Sequence, residues 1–330
     1  PHSVIAAALL CLLAVQTATA QLTFVTNNAA ITITGFAGSP VSLNLPTATN
    51  GYPVTMIAGG AFANLSSLTQ ITIPNSITNI GPFALENSGL TNVAIPASVT
   101  GIGQGAFASC GNLTNISVSA GNPAYMSLGG VLFDRAAVTL LQYPGGLALD
   151  NYSIPTGVTG IADDAFYGAT GLGGVTIPNS VRAIGEDAFA YCEALEAVYF
   201  GGNAPDTGDD AFYETGFGNG ITSYFLPGTA GWTAFSASLG QWLAASLFWY
   251  QPAPEILIVE PSPAASNNPF GFTISWATNA AVVVEASTNL SNPRWQPIST
   301  NTITAAAGTN SFSDPQSRNY PVRFYRLRAQ

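Results

Sequence analysis

Lysine is absent from this chain, and histidine occurs once, at His2. Charged residues of any kind make up 7% of the sequence, against about 25% in an average soluble domain. These scarcities exclude whole classes of chemistry. Without lysine there is no Schiff-base nucleophile and no P-loop lysine to hold phosphate. With a single histidine, inside a segment read below as a removable leader, no Ser-His-Asp site, Cys-His site or His-ligated zinc can be assembled. The seven cations, all arginines, stand against 17 acids for a net charge of −10. That balance repels phosphate backbones and excludes nucleic acid as a partner. Only carboxylate, tyrosine or arginine chemistry is left. Cysteine is scarce as well, at Cys11, Cys110 and Cys192.

What the chain does have is apolar bulk, 47% of residues, cut into short pieces by 34 glycines and 22 prolines. Its 330 residues leave room for about two domains. Val4 to Val15 is a run of twelve apolar residues followed by Gln16-Thr17-Ala18-Thr19-Ala20. This reads as a secretory signal peptide over residues 1–20, cut after Ala20, and is too short to span a bilayer of about 30 Å. The expectation is a secreted or cell-surface protein with no membrane span.

Residues 21–252 are organised by a repeat. The pattern L-x-x-(I/V)-x-(I/V) starts at Leu68, Leu90, Leu113, Leu149, Leu172 and Leu195, at intervals of 22, 23, 36, 23 and 23 residues; the fourth copy has Tyr152 at its second place and the last ends in Phe200. A second motif, I-(G/A)-x-x-A-F, stands at Ile57–Phe62, Ile102–Phe107, Ile161–Phe166 and Ile184–Phe189, with a degenerate copy at Ile80–Leu85 and a half copy at Asp210–Phe212. The first stretch alternates as a strand with one buried face, and in four copies a proline (Pro74, Pro96, Pro155, Pro178) ends it. The A-F segment reads as one short helical turn. No unit buries its apolar face alone, so the units stack into a solenoid with a continuous core. The 36-residue interval lacks A-F and reads as an inserted hairpin near residues 121–145, built from Gly129–Arg135 and Val138–Leu141. Residues 31–57 read as the N-terminal cap. Residues 221–250 lack the repeat, and their Trp232, Phe235, Trp242, Phe248, Trp249 and Tyr250 read either as a hydrophobic end cap or as a surface for stacking sugars.

The units Ile-Pro-Ala-Ser-Val-Thr-Gly-Ile-Gly-Gln-Gly-Ala-Phe-Ala-Ser-Cys-Gly-Asn-Leu (95–113) and Ile-Pro-Asn-Ser-Val-Arg-Ala-Ile-Gly-Glu-Asp-Ala-Phe-Ala-Tyr-Cys-Glu-Ala-Leu (177–195) resemble BspA-type leucine-rich repeats. So do Gly-Asn-Pro-Ala-Tyr…Gly-Gly-Val-Leu-Phe (121–133) and Leu-Pro-Gly-Thr-Ala-Gly-Trp (226–232). The resemblance covers about residues 31–250. It implies a bacterial surface or secreted protein, in a family several of whose members act as adhesins. Five prolines between Pro252 and Pro269 then mark a stiff linker, and short strand-like runs follow at Phe272–Trp276, Val282–Glu285, Trp295–Ile298 and Phe324–Leu327. Residues 253–330 therefore read as a small β-sandwich, similar to fibronectin-III-like modules at the C-termini of exported bacterial proteins. Charge divides the two parts: 13 acids and two arginines in the solenoid (−11), four acids and five arginines in 253–330 (+1). The four arginines within Arg318–Arg328 read either as solvated strand residues or as a contact for an anionic surface.

Three sets of residues are candidate sites. Acidic pairs recur at Asp163-Asp164, Glu186-Asp187 and Asp209-Asp210, 23 residues apart. Stacked coils would place them in columns, as a calcium ladder or as acids favoured at the start of a helical turn. As a glycosidase acid–base pair they would need a cleft and well-separated pKa values, which no sequence feature predicts. The outward strand positions form the second set: Thr69, Thr72, Thr91, Asn92, Thr114, Asn115, Ser117, Thr176 and Tyr199, neutral and rich in hydroxyls and amides. That face suits glycan or peptide backbone, and is equally consistent with a solvated sheet. Third, Cys110 and Cys192 each follow a motif Phe by three residues. They occupy the same core position about 15 Å apart at strand spacing, beyond the roughly 7 Å a disulfide allows, so both are expected as free buried thiols. The whole reads as a mainly β protein with short helical turns, a leucine-rich-repeat solenoid followed by a β-sandwich. Its expected role is non-enzymatic recognition of extracellular protein or glycan, with no cofactor and an open oligomeric state. A carbohydrate-binding accessory module is the alternative, and a carboxylate-based glycoside-processing enzyme a distant third.

Overall fold

The computed structural model describes residues 21–216, 220–226, 229–239, 243–248, 255–259, 270–275, 281–291, 293–303 and 309–329. Residues 1–20, read above as a signal peptide, and Trp242, Trp249 and Tyr250 lie outside these residues.

A β-solenoid of about eight coils fills the first part. Each coil has three sides. The L-x-x-I-x-I stretches, with further strands at both ends, form the first ladder in three parallel sheets: Ser42–Asn44 with Gln70–Thr72, Asn92–Ile95 with Asn115–Val118, and then Tyr152–Ser153, Gly174–Ile177, Ala197–Phe200, Ile221–Phe225 and Leu243–Phe248. Register follows the repeat, with Val93 beside Ile116 and Val175 beside Val198. Alternation puts those apolar residues inside and their polar neighbours outside. The proline after the strand opens a turn that the hydrophobic residue three positions on closes, as in Val181 N–H to Pro178 O at 3.1 Å. A second ladder follows, through Ala30–Ala37, Tyr52–Ile57, Asn79–Ile80 and Gly101–Ile102, and again through Thr139–Gln142, Gly160–Ile161, Ala183–Ile184 and Asp206–Thr207. The A-F turns make the third side. The strand Gln21–Asn27, which the repeat pattern did not reveal, pairs antiparallel with Ala30–Ala37 and covers the first edge of the second ladder.

The glycine of I-G-x-x-A-F has a steric cause. A Cβ on Gly185 would stand 2.4 Å from Asp163 N, and one on Gly103 would stand 2.3 Å from Pro82 N. At these two corners the backbones of successive coils nearly touch, so only a residue without a side chain fits; Ala58 and Ala162 hold the same place in other coils. Gly185→Ala is expected to destabilise the fold by about 1–3 kcal/mol, measured as a drop in the urea midpoint; an unchanged midpoint would show that the corner yields.

The 36-residue interval is a meander, with strands Tyr125–Leu128, Val131–Asp134 and Thr139–Gln142. Gly129 and Gly130 form its turn, both left-handed (φ 59° and 87°). Only the first two strands are an addition, because Thr139–Gln142 is the coil's own second side, parallel to Gly160–Ile161. The entry is pinned by Asn122, which is buried and fully used: its amide donates to Pro96 O and Val99 O, both at 2.8 Å, and its carbonyl accepts from Ala124 and Tyr125 N–H at 2.9 and 2.8 Å. Tyr125 hydroxyl then accepts the Ile102 N–H at 2.8 Å, where the second ladder breaks.

Inside, the apolar core forms two blocks that meet at this insertion. Leu132 packs with the first block, Val131 and Phe133 with the second. In the second block Tyr143, Phe166, Phe189 and Phe212 stack in a column, with centroids 5.0, 4.5 and 4.9 Å apart. Tyr143 thus supplies the ring that the missing A-F turn would have contributed. Residues 221–248 extend the first ladder by two strands, with the helix Trp232–Leu239 between them. The chain loses its sequence repeat there before it loses its coil. Trp232 and Phe235 are buried against Phe200, which supports the end-cap reading for those two aromatics.

Among the described residues, the C-terminal part has two three-stranded antiparallel sheets. One pairs Glu255–Val259, Phe270–Ser275 and Thr309–Asp314; the other pairs Gln296–Thr302, Ala281–Ser287 and Phe324–Ala329. Phe272, Ile274 and Phe312 from the first sheet share a core with Val282, Val284 and Tyr325 from the second, so the two pack face to face as a sandwich.

Candidate recognition surfaces

The insertion divides the outward face of the first ladder. Gly130 O accepts the Ile116 N–H at 2.8 Å, and Ser127 hydroxyl reaches Ile116 O. The hairpin thereby occupies the edge where the next strand would pair. Thr69, Thr72, Thr91, Asn92, Thr114, Asn115 and Ser117 fall on one side, Thr176 and Tyr199 on the other. Several of the hydroxyls are already donors to neighbouring backbone: Thr69 to Val41 O at 3.1 Å, Thr114 to Thr91 O at 3.2 Å and Ser117 to Val93 O at 3.2 Å. They stitch successive coils together and turn hydroxyl lone pairs outward as acceptors, beside the amides of Asn92 and Asn115. On the other side Tyr199 stacks on Tyr224 at 4.8 Å, and Asn151 donates to the Thr176 hydroxyl at 3.0 Å.

The acidic pairs lie on the A-F side, and their regularity has a backbone cause. Asp164, Asp187 and Asp210 each adopt a left-handed conformation (φ 55°, 52° and 52°), where Gly60 and Gly105 stand in other coils. Asp is among the few side chains that tolerate this region. The turns close with i to i+3 bonds, such as Tyr167 N–H to Asp164 O at 3.1 Å, while alternate N–H groups reach the next coil, as Phe166 does to Ala188 O at 2.7 Å. The first acid of one pair is also engaged: Asp163 Oδ1 accepts the Glu186 N–H at 2.9 Å. Among the described residues no three His, Cys, Asp or Glu side chains come together to hold a metal ion. Asp164 stands apart. It is 2% exposed, its Oδ2 has no hydrogen-bond partner, and burial, with the charges of Asp187, Asp163 and Glu186 added, raises its pKa to about 6 against the Gln104 amide that faces it.

Two hollows open on the same side. Where the short coil at Gln142–Leu147 omits its turn, a cavity of about 210 Å³ lies between Gly103–Phe107 and Ala162–Asp163, walled by Leu132, Leu141 and Gln142. Farther out, a groove of about 350 Å³ is bounded by the Tyr167 and Tyr191 rings with Asn87, Ser109, Thr170 and Glu193. No sequence pattern pointed to this groove, because its two tyrosines occupy different places in their repeats.

The BspA-type leucine-rich repeat region matches this chain in six copies, over residues 36–148 and 143–228. The chain belongs to that family. The match spans the coils on both sides of the insertion, so the BspA-type repeat accounts for the solenoid and leaves the sandwich unassigned. No curated protein matches the chain. Among solved structures, a leucine-rich cell surface protein from Faecalibacterium prausnitzii A2-165 is 20% identical over 71% of this chain and 95% of its own, with a TM-score of 0.40. The leucine-rich repeat protein of T. pallidum is 24% identical over 58% of this chain and 86% of its own, also at 0.40. The pneumococcal vaccine antigen PcpA is 14% identical over 72% and 98%, at 0.28.

Cys110 and Cys192 are free and fully buried in this BspA-type repeat. Their thiols point at Leu85 O (3.1 Å) and Phe166 O (3.0 Å), and burial pushes Cys192 up to about 12. Neither is expected to react with a thiol reagent in the native protein, and both should react in denaturant; rapid native labelling would contradict their burial. In the sandwich, Glu285 is buried between Arg326 and Arg328 (2.7 and 3.0 Å), Arg323 pairs with Asp314 at 2.9 Å, and the Arg326 guanidinium lies over Trp295. Those three arginines hold the sandwich's own acids. Among the described residues no helix is long and apolar enough to cross a membrane.

Proposed function

We propose that this protein is a non-enzymatic recognition protein of the bacterial exterior, secreted or held at the cell surface after cleavage near Ala20, that binds protein or glycan through its solenoid. The observation that carries the reading is the outward face itself. Hydroxyls and amides repeat there in fixed register on a rigid ladder, uncharged and pinned by bonds to neighbouring coils, so a partner meets preorganised acceptors at little ordering cost. Membership of the BspA-type family supports the same role, since solenoids present extended surfaces to partners. A carbohydrate-binding accessory role is the second reading, favoured by the tyrosines on two sides of the coil.

For the C-terminal part, the pairing order supports a fibronectin-III-like module that spaces or presents the solenoid. Its first, second and fifth strands form one sheet, and its fourth, third and sixth form the other. The test is a binding array of extracellular-matrix proteins and glycans probed with the full chain. Saturable binding to either class is the expected result, and silence on both sinks the reading.

A further inference from the structure

We propose that the groove bounded by Tyr167 and Tyr191 binds a neutral carbohydrate, the tyrosine rings meeting the C–H face of a sugar while Asn87, Ser109, Thr170 and Glu193 meet its hydroxyls. This rests on the recognition reading and names the ligand class for one part of the surface.

The first observation is the geometry of the rings. In the core of the same coils, Phe166 and Phe189 lie nearly parallel and cover each other's faces, 15° apart and buried. Tyr167 and Tyr191 are only half-buried and meet at 5.2 Å with a 56° tilt, and Tyr213 stands edge-on to Tyr191 at 5.5 Å and 72°, so the rings form a tilted strip along the edge of the groove instead of a closed parallel stack. Tyrosine offers an apolar face and a polar tip, the two things a pyranose ring needs.

The second is backbone strain. Tyr191 holds a left-handed conformation (φ 57°), and the residues at its place in other coils are Asn64, Asn87, Ser109, Gly168 and Glu214. A bulky ring there costs free energy, and such costs cluster at functional sites. Gly168 and Gly111 line the groove without adding side chains to it, and a Cβ on Gly168 would meet the Ser109 hydroxyl at 2.5 Å.

Charge then selects the sugar. No arginine lines the groove, and burial, followed by the neighbouring Tyr191, Asp187, Glu86 and Asp164, raises Tyr167 to about 12, keeping its phenol intact as donor and acceptor. That acidic surround disfavours uronic acids, sialic acids and phosphorylated sugars. A volume of about 350 Å³ lies at the low end for ligand sites and suits one or two rings.

The test is calorimetric titration of the full chain with neutral oligomers of hexoses, N-acetylhexosamines and deoxyhexoses, and with tri-galacturonate. At least one neutral oligomer should bind saturably below about 5 mM, with tri-galacturonate about tenfold weaker or worse. Tyr191→Gly, which relieves the strained backbone and removes the ring, should weaken binding about tenfold or more, and Tyr191→Phe should stay within about threefold. The proposal is overturned by neutral binding that Tyr191→Gly leaves intact, by preference for the acidic sugar, or by no neutral binding at all. Protein binding on the array that survives in Tyr191→Gly would leave the broader recognition reading standing, so the two failures are told apart.

Discussion

Phe189→Ala is expected to cost about 3–5 kcal/mol of stability, as for any ring fully buried in the solenoid core. The ring is fully buried and sandwiched, 4.5 Å from Phe166 and 4.9 Å from Phe212, with interplanar angles of 15° and 6°. Truncation therefore leaves a cavity with rings above and below it that cannot collapse inward, because each is fixed by the hydrogen bonds of its own coil. The chain itself supplies the control. Leu85 takes the phenylalanine place in an earlier coil and is fully buried there, so Phe189→Leu should lose only about 1 kcal/mol. Urea unfolding of both variants checks the pair; a loss under about 1 kcal/mol for the alanine would show that the column is not a continuous stack.

Asp164→Asn is expected to stabilise the protein by about 2–3 kcal/mol at pH 8 and by close to nothing near pH 4. Burial raises the folded pKa to about 6 from 3.8. A folded-state pKa raised in this way means that the native form holds the proton more tightly than the unfolded chain. Stability therefore falls as pH rises from about 4 to about 6, and the penalty is constant above that. Asparagine keeps an oxygen for the Gln104 amide and tolerates the left-handed backbone, φ 55°, at this position, while removing the buried charge and its repulsion from Asp187, Asp163 and Glu186. Thermal melts of wild type and variant from pH 4 to 8 check the sign. A difference that does not change with pH would mean that the carboxylate is solvated.

Much of this molecule is legible in its sequence for a definite reason. Each coil must present the same apolar positions to its neighbours, so Leu172, Val175, Ile177 and Phe189 recur at fixed spacing, and the corner glycines recur because adjacent backbones nearly touch there. The strands at either end were harder to read. Gln21–Asn27 is exposed along much of its length, and residues 221–248 exchange the repeat for a helix while continuing the ladder. The acidic pairs were legible as a pattern but not in cause, because a left-handed turn leaves no mark in the sequence beyond the Gly and Asp that tolerate it.

The sequence by itself determined the solenoid, its core and the free thiols, since periodicity is a local property of the chain. The tertiary structure alone decided that the hairpin splits the polar face, that Tyr143 replaces a missing phenylalanine, and that Tyr167 and Tyr191 share a groove. Each of these depends on which residues of different coils are brought side by side, and where the insertion interrupts the regular step from coil to coil, only the packing settles that.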